Sequence, residues 1–344
     1  RGREAAHTGA PMRPADLSPF WNALPFAPTG AQRRAAQEIL ADLGKKTPMN
    51  RLLQGDVGSG KTLVAAAGVY AAAQSGYQSV LMAPTEILAA QHADTLDRLL
   101  APLGIRVALL TGSVKGAAKK AALRAIAAGE VELVVGTHAV LSAGVEFARL
   151  GFAVTDEQHR FGVRQRSLLA AKADHPHLLV MSATPIPRTL GLLMFGDLDI
   201  SVLDELPPGR TPVKTYAITG KKRADMYGFV RRQLAANANI SVIENAERYG
   251  LSALHQLRGR VGRGKGEAYC VLISDHATDA VKKRLSFLCH TNDGFEIAKF
   301  DLETRGPGDF FGSRQHGLPT LRIADLMADS RALYAAQKEA LALV

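Results

Sequence analysis

An α/β chain with two parallel-sheet lobes and a helical carboxyl end is predicted by three observations. Short apolar runs alternate with Ala-rich helical segments between residues 50 and 182. A Gly-rich turn follows the first of those runs and opens a helix. A polar stretch punctuated by Pro and Gly, 204–212, separates this half from three further apolar runs. The 344 residues are enough for two or three domains, each burying its own core.

Residues 1–20 are rich in Arg, Pro, Gly and small side chains and read as a linker or the tail of a preceding domain. Helical apolar spacing over 32–43 is followed by a polar 44–48, and then by the strand around Leu52 and Leu53. Further strands are predicted at 79–83, 107–110, 133–136, 152–155 and 178–182, so that a first lobe occupies 21–203. A second lobe, 204–274, carries strand candidates at 213–218, 240–243 and 268–273. Only about 60 residues join its first strand to its last, few for a sheet covered on both faces. Either the lobe is unusually small, or the region 236–239 marks a place where chain has been left out. In the final segment, 275–344, helices over 277–289 and 295–304 should pair across a turn at 291–294. A Gly/Pro loop at 306–319 and a last helix from about 323 should follow.

The formal charge of +10 suits a polyanionic partner, although charge alone does not single out nucleic acid. Two cysteines, Cys270 and Cys289, are too few for a disulfide framework or a zinc site. No apolar run reaches the roughly 18 residues of a membrane span, and no cationic-then-apolar leader opens the chain. A reducing, cytoplasmic setting is the expectation.

Gly55-Asp56-Val57-Gly58-Ser59-Gly60-Lys61-Thr62 is a complete phosphate-binding loop. Gly55, Gly58 and Gly60 let successive backbone N–H groups turn toward phosphates, and the helix that follows offers its positive end. Lys61 is placed to reach the β- and γ-phosphates, and Thr62 to hold Mg²⁺. A second acidic element, Thr155-Asp156-Glu157-Gln158-His159, stands at the end of an apolar run. Asp156 should hold the same Mg²⁺, directly or through water, and Glu157 should orient and deprotonate the attacking water. In Gln256-Leu257-Arg258-Gly259-Arg260-Val261-Gly262-Arg263-Gly264, Arg260 and Arg263 fit arginine fingers for the γ-phosphate. A basic loop that binds RNA or DNA is the alternative for the same residues.

The phosphate loop, Asp156-Glu157-Gln158-His159, Met181-Ser182-Ala183-Thr184-Pro185 and the Arg-Gly-Arg stretch together resemble the superfamily 2 helicases, from Leu24 onward. The resemblance implies two RecA-like motor lobes. It also implies that Phe26 stacks on adenine while Gln32 hydrogen-bonds to it, and that Ser182 and Thr184 couple hydrolysis to lobe movement. Pro84-Thr85-Glu86, Thr111-Gly112 and Gly136-Thr137-His138 match strand-tracking motifs.

Two further stretches are specific. His159-Arg160-Phe161-Gly162-Val163-Arg164-Gln165-Arg166, and Phe300-Asp301-Leu302-Glu303-Thr304-Arg305-Gly306-Pro307-Gly308-Asp309-Phe310-Phe311-Gly312-Ser313-Arg314-Gln315, closely resemble the RecG family. The second is similar to a translocation motif shared with the transcription-repair coupling factor. By that resemblance Arg305, Arg314 and Gln315 transmit lobe closure to duplex DNA. The resemblance further implies ATP and Mg²⁺ as cofactors, forks and Holliday junctions as substrates, and a single-stranded-DNA-binding protein as a partner. A monomer in the bacterial cytoplasm is expected. The family's amino-terminal wedge domain has no counterpart in this sequence, and neither do second-lobe motifs expected near 236–239. The rival readings are a motor acting on RNA polymerase and a non-catalytic, ATP-gated DNA scaffold.

Overall fold

The computed structural model describes residues 9, 11–142, 144–156, 172, 175–183, 198–207, 212–261, 266–276 and 278–310, with side chains at 302 and 305–310 outside the description. The chain divides into two compact units.

The first unit is built on a seven-stranded sheet in which every strand pairing is parallel. Its strands are β1 (Asn50–Gly55), β2 (Gln78–Met82), β3 (Val107–Leu110), β4 (Leu133–Gly136), β5 (Leu150–Asp156), β6 (His177–Ser182) and β7 (Asp199–Leu203). They lie in the order β3-β4-β2-β5-β6-β1-β7. The helices are α1 (Ser18–Asn22), α2 (Gly30–Leu43), α3 (Lys61–Gln74), α4 (Glu86–Leu100) and α5 (Gly116–Ala127). Parallel strands need crossovers, and α3, α4 and α5 supply them between β1 and β4.

Three of the helices have a local reason to form where they do. Thr29 starts α2 with a reciprocal cap: its hydroxyl accepts from Gln32 N–H, and its own N–H donates to Gln32 Oε1 at 2.9 Å. Ala31, Ala35, Ile39 and Leu43 then fall on one buried face. The run from Leu63 to Ala72 in α3 is buried on every side, and its small residues bring the helix close to the sheet. At Gly68 an added Cβ would lie 2.8 Å from the Phe152 ring. Thr85 caps α4 through Leu88 N–H.

Two features differ from the sequence reading. Part of 1–20, expected as linker or tail, enters the first core: Met12, Leu17 and Phe20 are buried. Their hydrophobic signal is diluted among Pro and Arg, so composition hides it. The second is β7, a strand that the apolar pattern does not mark. It sits at the sheet edge, and its buried Ser201 takes a hydrogen bond from Arg51 at 2.9 Å, so its pattern is not that of a buried apolar run.

The second unit has a three-stranded parallel sheet in the order β8-β10-β9, with β8 (Val213–Ile218), β9 (Asn239–Ile243) and β10 (Ala268–Ile273). Its helices are α6 (Arg223–Ala235), α7 (Leu251–Arg258), α8 (Asp279–His290) and α9 (Gly294–Phe310). One core gathers Val213, Cys270 and Leu272 of the sheet with Leu251 and Leu254 of α7, Leu285 and Leu288 of α8, and Ile297 of α9. A smaller cluster joins Met226 of α6 to Val271 and Ile273.

The hairpin expected over 277–304 is present as α8 and α9, with Phe287 and Phe300 stacked at 4.0 Å between ring centroids. The loop expected to begin at 306 is displaced, because α9 continues through Gly306, Pro307 and Gly308. Pro307 removes one backbone donor, a loss that a helix already propagated over three turns can absorb. The rest of that loop and the last helix lie outside the described residues.

Candidate functional site

In the first unit the candidate nucleotide site forms at the carboxyl ends of β5, β6 and β1, where open parallel sheets place ligands. Asp156 pairs in register with Met181, and Ser182 pairs with Gln54, so Asp156, Ser182 and Gly55 end three neighbouring strands. At about 4.8 Å per strand spacing, Asp156 and the phosphate loop stand roughly 10 Å apart. A triphosphate with its cation spans such a gap.

The phosphate loop runs from β1 into α3. Gly60 holds φ +86° and is the N-cap of α3, a left-handed conformation that favours glycine. At Gly55 an added Cβ would lie 2.5 Å from Ser59 Oγ and 2.8 Å from Leu203 Cβ. Glycine at these positions keeps side chains out of the loop ahead of α3, whose first-turn N–H groups can meet an anion. Lys61 Nζ donates to Gly55 O at 2.7 Å, which lays the ammonium across the cradle. Gln32 Nε2 donates to Ser59 O at 2.8 Å, so the buried Gln32 amide links the α2 cap to the loop. Ser59 Oγ is buried with no hydrogen-bond partner among the described residues, as expected of a loop shaped for an acceptor oxygen. Phe26 is half-exposed, its ring free to meet a flat ligand. Thr62 and Asp156 offer a hydroxyl and a carboxylate, the hard oxygen donors Mg²⁺ takes. These residues fit ATP with Mg²⁺. Among the described residues no cluster of three or more His, Cys, Asp or Glu is placed to hold a metal by itself.

The three strand-tracking motifs lie at the ends of β2, β3 and β4, which are neighbours in the sheet. Glu86 approaches Gly112, where an added Cβ would lie 2.9 Å from its Oε1. Gly136 passes so near Leu110 O that a Cβ would lie at 2.1 Å, so glycine is required where those strands end.

In the second unit Arg260 is exposed just beyond α7. Arg258, two residues earlier in the same motif and given no role by the sequence, is almost fully buried. Its Nη1 donates to Leu288 O at 2.6 Å and to Thr291 O at 2.8 Å, and its Nη2 bonds His255 Nδ1 at 2.7 Å. Arg258 therefore ties the arginine motif to the end of α8, at the turn of the helical hairpin. The sequence could have suggested this only through an arginine inside an apolar helix end. His92, which meets Asp156 at 2.7 Å, had no signal in the sequence at all. Arg305 lies in α9 with its side chain outside the description, and Glu157, Thr184, Arg263, Arg314 and Gln315 lie outside the described residues.

Comparison with known proteins defines the class first. A family description for DEAD/DEAH box helicases matches residues 29–192, the span of the phosphate loop and the acidic element. The crystal structure of the DUF1998 helicase MrfA shares the fold, with a TM-score of 0.55 at 15% identity over 92% of this chain and 60% of that one. The chain thus has the architecture of a helicase core. A second description, ATP-dependent DNA helicase RecG, domain 3, C-terminal, matches 291–344. The ATP-dependent DNA helicase RecG of Bacillus subtilis (strain 168) is 42% identical over 408 residues, covering 96% of this chain and 60% of that protein. Its namesake in Escherichia coli (strain K12) is 42% identical over 89% of this chain and 56% of its own length. A solved structure of RecG bound to a three-way DNA junction superposes with a TM-score of 0.81 at 36% identity, over 95% of this chain and 53% of that one. The chain belongs to the RecG family.

It spans about 60% of the Bacillus subtilis relative. That match runs over 408 positions, whereas 96% of 344 residues is about 330, so the relative carries about 78 more residues within the matched span.

Proposed function

We propose that this chain is the motor portion of an ATP-dependent double-stranded-DNA translocase that remodels branched DNA. Reversal of stalled forks and migration of Holliday junctions, in repair and recombination, are the activities assigned to it. The reading is carried by one conjunction: a phosphate loop, Ser182 and Asp156 at three adjacent strand ends, in a chain whose 291–344 matches the RecG carboxyl domain. ATP is bound by the loop glycines and Lys61, with Phe26 stacked on adenine and Gln32 bonded to its edge. Thr62 and Asp156 hold Mg²⁺, which when bound neutralises charge on the β- and γ-phosphates. Glu157 orients and deprotonates water, and Arg260 and Arg263 stabilise the charge that develops in transfer. Ser182 and Thr184 relay the change to the lobes, while Arg305, Arg314 and Gln315 act on the duplex. Binding is directed to phosphates, selects structure over sequence, and weakens with salt. The protein acts as a monomer in the bacterial cytoplasm near the nucleoid, with a single-stranded-DNA-binding protein as partner.

The alternative weighed against it, an ATP-gated DNA scaffold without turnover, is not favoured by the RecG relatives. ATP hydrolysis measured without nucleic acid, with linear duplex, with a model fork and with RNA, at one salt concentration, separates the two. Strong stimulation by the fork supports the translocase. Nucleotide binding without stimulated hydrolysis supports the scaffold, and preference for RNA sinks both.

A further inference from the structure

Asp156 is hydrogen-bonded, among the described side chains, by His92 alone: His92 Nε2–H donates to Asp156 Oδ2 at 2.7 Å. Both side chains are about six-sevenths buried, with exposures of 14% and 15%. Burial of this kind makes a hydrogen bond to a carboxylate strongly orienting. The imidazole is carried by an anchored helix. His92 lies on the inner face of α4, one turn from Ala89 and one from Leu96, which are both fully buried in the first core. Asp156 is fixed from the other side by the β5 pairing with β6. A rigid donor thus meets one oxygen of a carboxylate whose position is already set by the sheet.

We propose that His92 is a positioning residue for Mg²⁺: by holding Oδ2 it would leave Oδ1 available to the cation that Asp156 and Thr62 would hold, directly or through water. The inference rests on the reading of Asp156 as a Mg²⁺ ligand. It inverts the common arrangement in which a carboxylate orients a metal-bound histidine, and such outer partners carry about 10- to 100-fold in metal affinity or activity. The geometry admits one opposite arrangement, in which the imidazole stands where the cation belongs and must leave before it binds. The two differ in sign, because a positioning residue raises Mg²⁺ affinity and a competitor lowers it.

The test is equilibrium binding of a fluorescent, non-hydrolysable ATP analogue to the full chain while Mg²⁺ is titrated, so that no turnover is involved. H92A is expected to need about 10-fold more Mg²⁺ for half-maximal tightening. H92Q, whose amide N–H sits the same number of bonds from Cβ as Nε2, should recover most of that loss. Affinity in EDTA serves as the check on folding. Should H92A bind no nucleotide there, H92N replaces it with the same expectation, since its shorter amide cannot reach the Nε2 position. An unchanged or lower Mg²⁺ requirement, or an H92Q as impaired as H92A, overturns the proposal. D156N separates the two levels. If D156N loses the Mg²⁺ dependence and H92A keeps it, only the role of His92 falls. If wild type and D156N are alike insensitive to Mg²⁺, the nucleotide-site reading falls as well.

Discussion

The two units hold themselves together by different means. In the first, β1, β2, β4 and β5 are buried along almost their whole length, and two clusters of apolar side chains are packed around the seven-stranded sheet. In the second, β9 buries only Ile243 of its five residues, and Tyr216, Tyr227, Leu234 and Val242 stand exposed. At about 25 cal/mol per Å² of apolar surface, the first unit gains its stability from many interchangeable contacts. The second has fewer, so a single buried polar hub carries a larger share. That hub is Arg258, whose removal leaves two backbone carbonyls and a histidine without their donor.

The sharpest way to break this comparison is R258A. Loss of a buried charged donor, which leaves its neutral acceptors unsatisfied, should destabilise the second unit by about 3 kcal/mol while sparing the first. The thiols report on it selectively, since both cysteines, Cys270 and Cys289, lie in the second unit. Burial pushes the Cys270 thiol up to about 12 from an ordinary value of 9, and also raises Cys289. Folded protein at pH 8 should therefore resist alkylation at Cys270, and labelling should follow opening. R258A should raise its rate about 100-fold, the factor that 3 kcal/mol implies. The same shift fixes a pH trend. Between about pH 9 and 12 the unfolded thiol has lost its proton and the folded one keeps it, so stability falls as pH rises through that window. An R258A protein that labels no faster than wild type would mean that the apolar contacts of α7, α8 and α9 suffice.

G68A is the counterpart in the first unit. The new methyl would lie 2.8 Å from two carbons of the buried Phe152 ring, and overpacking of this kind costs about 1–3 kcal/mol. Thermal unfolding should register the loss, with Cys270 labelling unchanged. Faster labelling in G68A would show that the two units unfold as one, and the contrast between them would lose its thermodynamic meaning.

What the sequence made legible follows the same division. Apolar runs buried on both sides announce themselves, so the strands at 79–83, 107–110, 133–136, 152–155 and 178–182 coincide with β2 to β6 to within a few residues. The phosphate loop was readable because its chemistry demands fixed residue types at fixed spacing, and the structure sets it between β1 and α3. β7 escaped because its inner-facing Ser201 serves the Arg51 network rather than an apolar core. Met12, Leu17 and Phe20 escaped because isolated apolar residues among prolines carry no period. Arg258 and His92 needed tertiary structure. Their partners lie 30 to 64 residues away, at Leu288 and Asp156, and no local pattern encodes such distances.

Two smaller effects sharpen the contrast. T29A should cost about 1 kcal/mol through loss of the α2 cap, and it should also loosen Gln32 from Ser59, so nucleotide affinity should fall alongside stability. A stability loss with unchanged affinity would separate the cap from the loop.

The smallest effect belongs to L234S, at the end of α6 in the second unit, where Leu234 is 54% exposed. A half-exposed leucine near a helix end contributes little, and its replacement should stay within about 0.5 kcal/mol. Helix propensity accounts for a few tenths of that. The value is informative because a leucine covered by another surface would behave differently: truncating a buried one costs about 2–5 kcal/mol. Denaturant unfolding of wild type and L234S at two protein concentrations therefore decides what the open face means. A negligible change at both concentrations agrees with a face in contact with solvent. A loss above about 1.5 kcal/mol that grows with concentration would mean that a second copy covers α6, and the second unit would then owe part of its stability to association rather than to its own core.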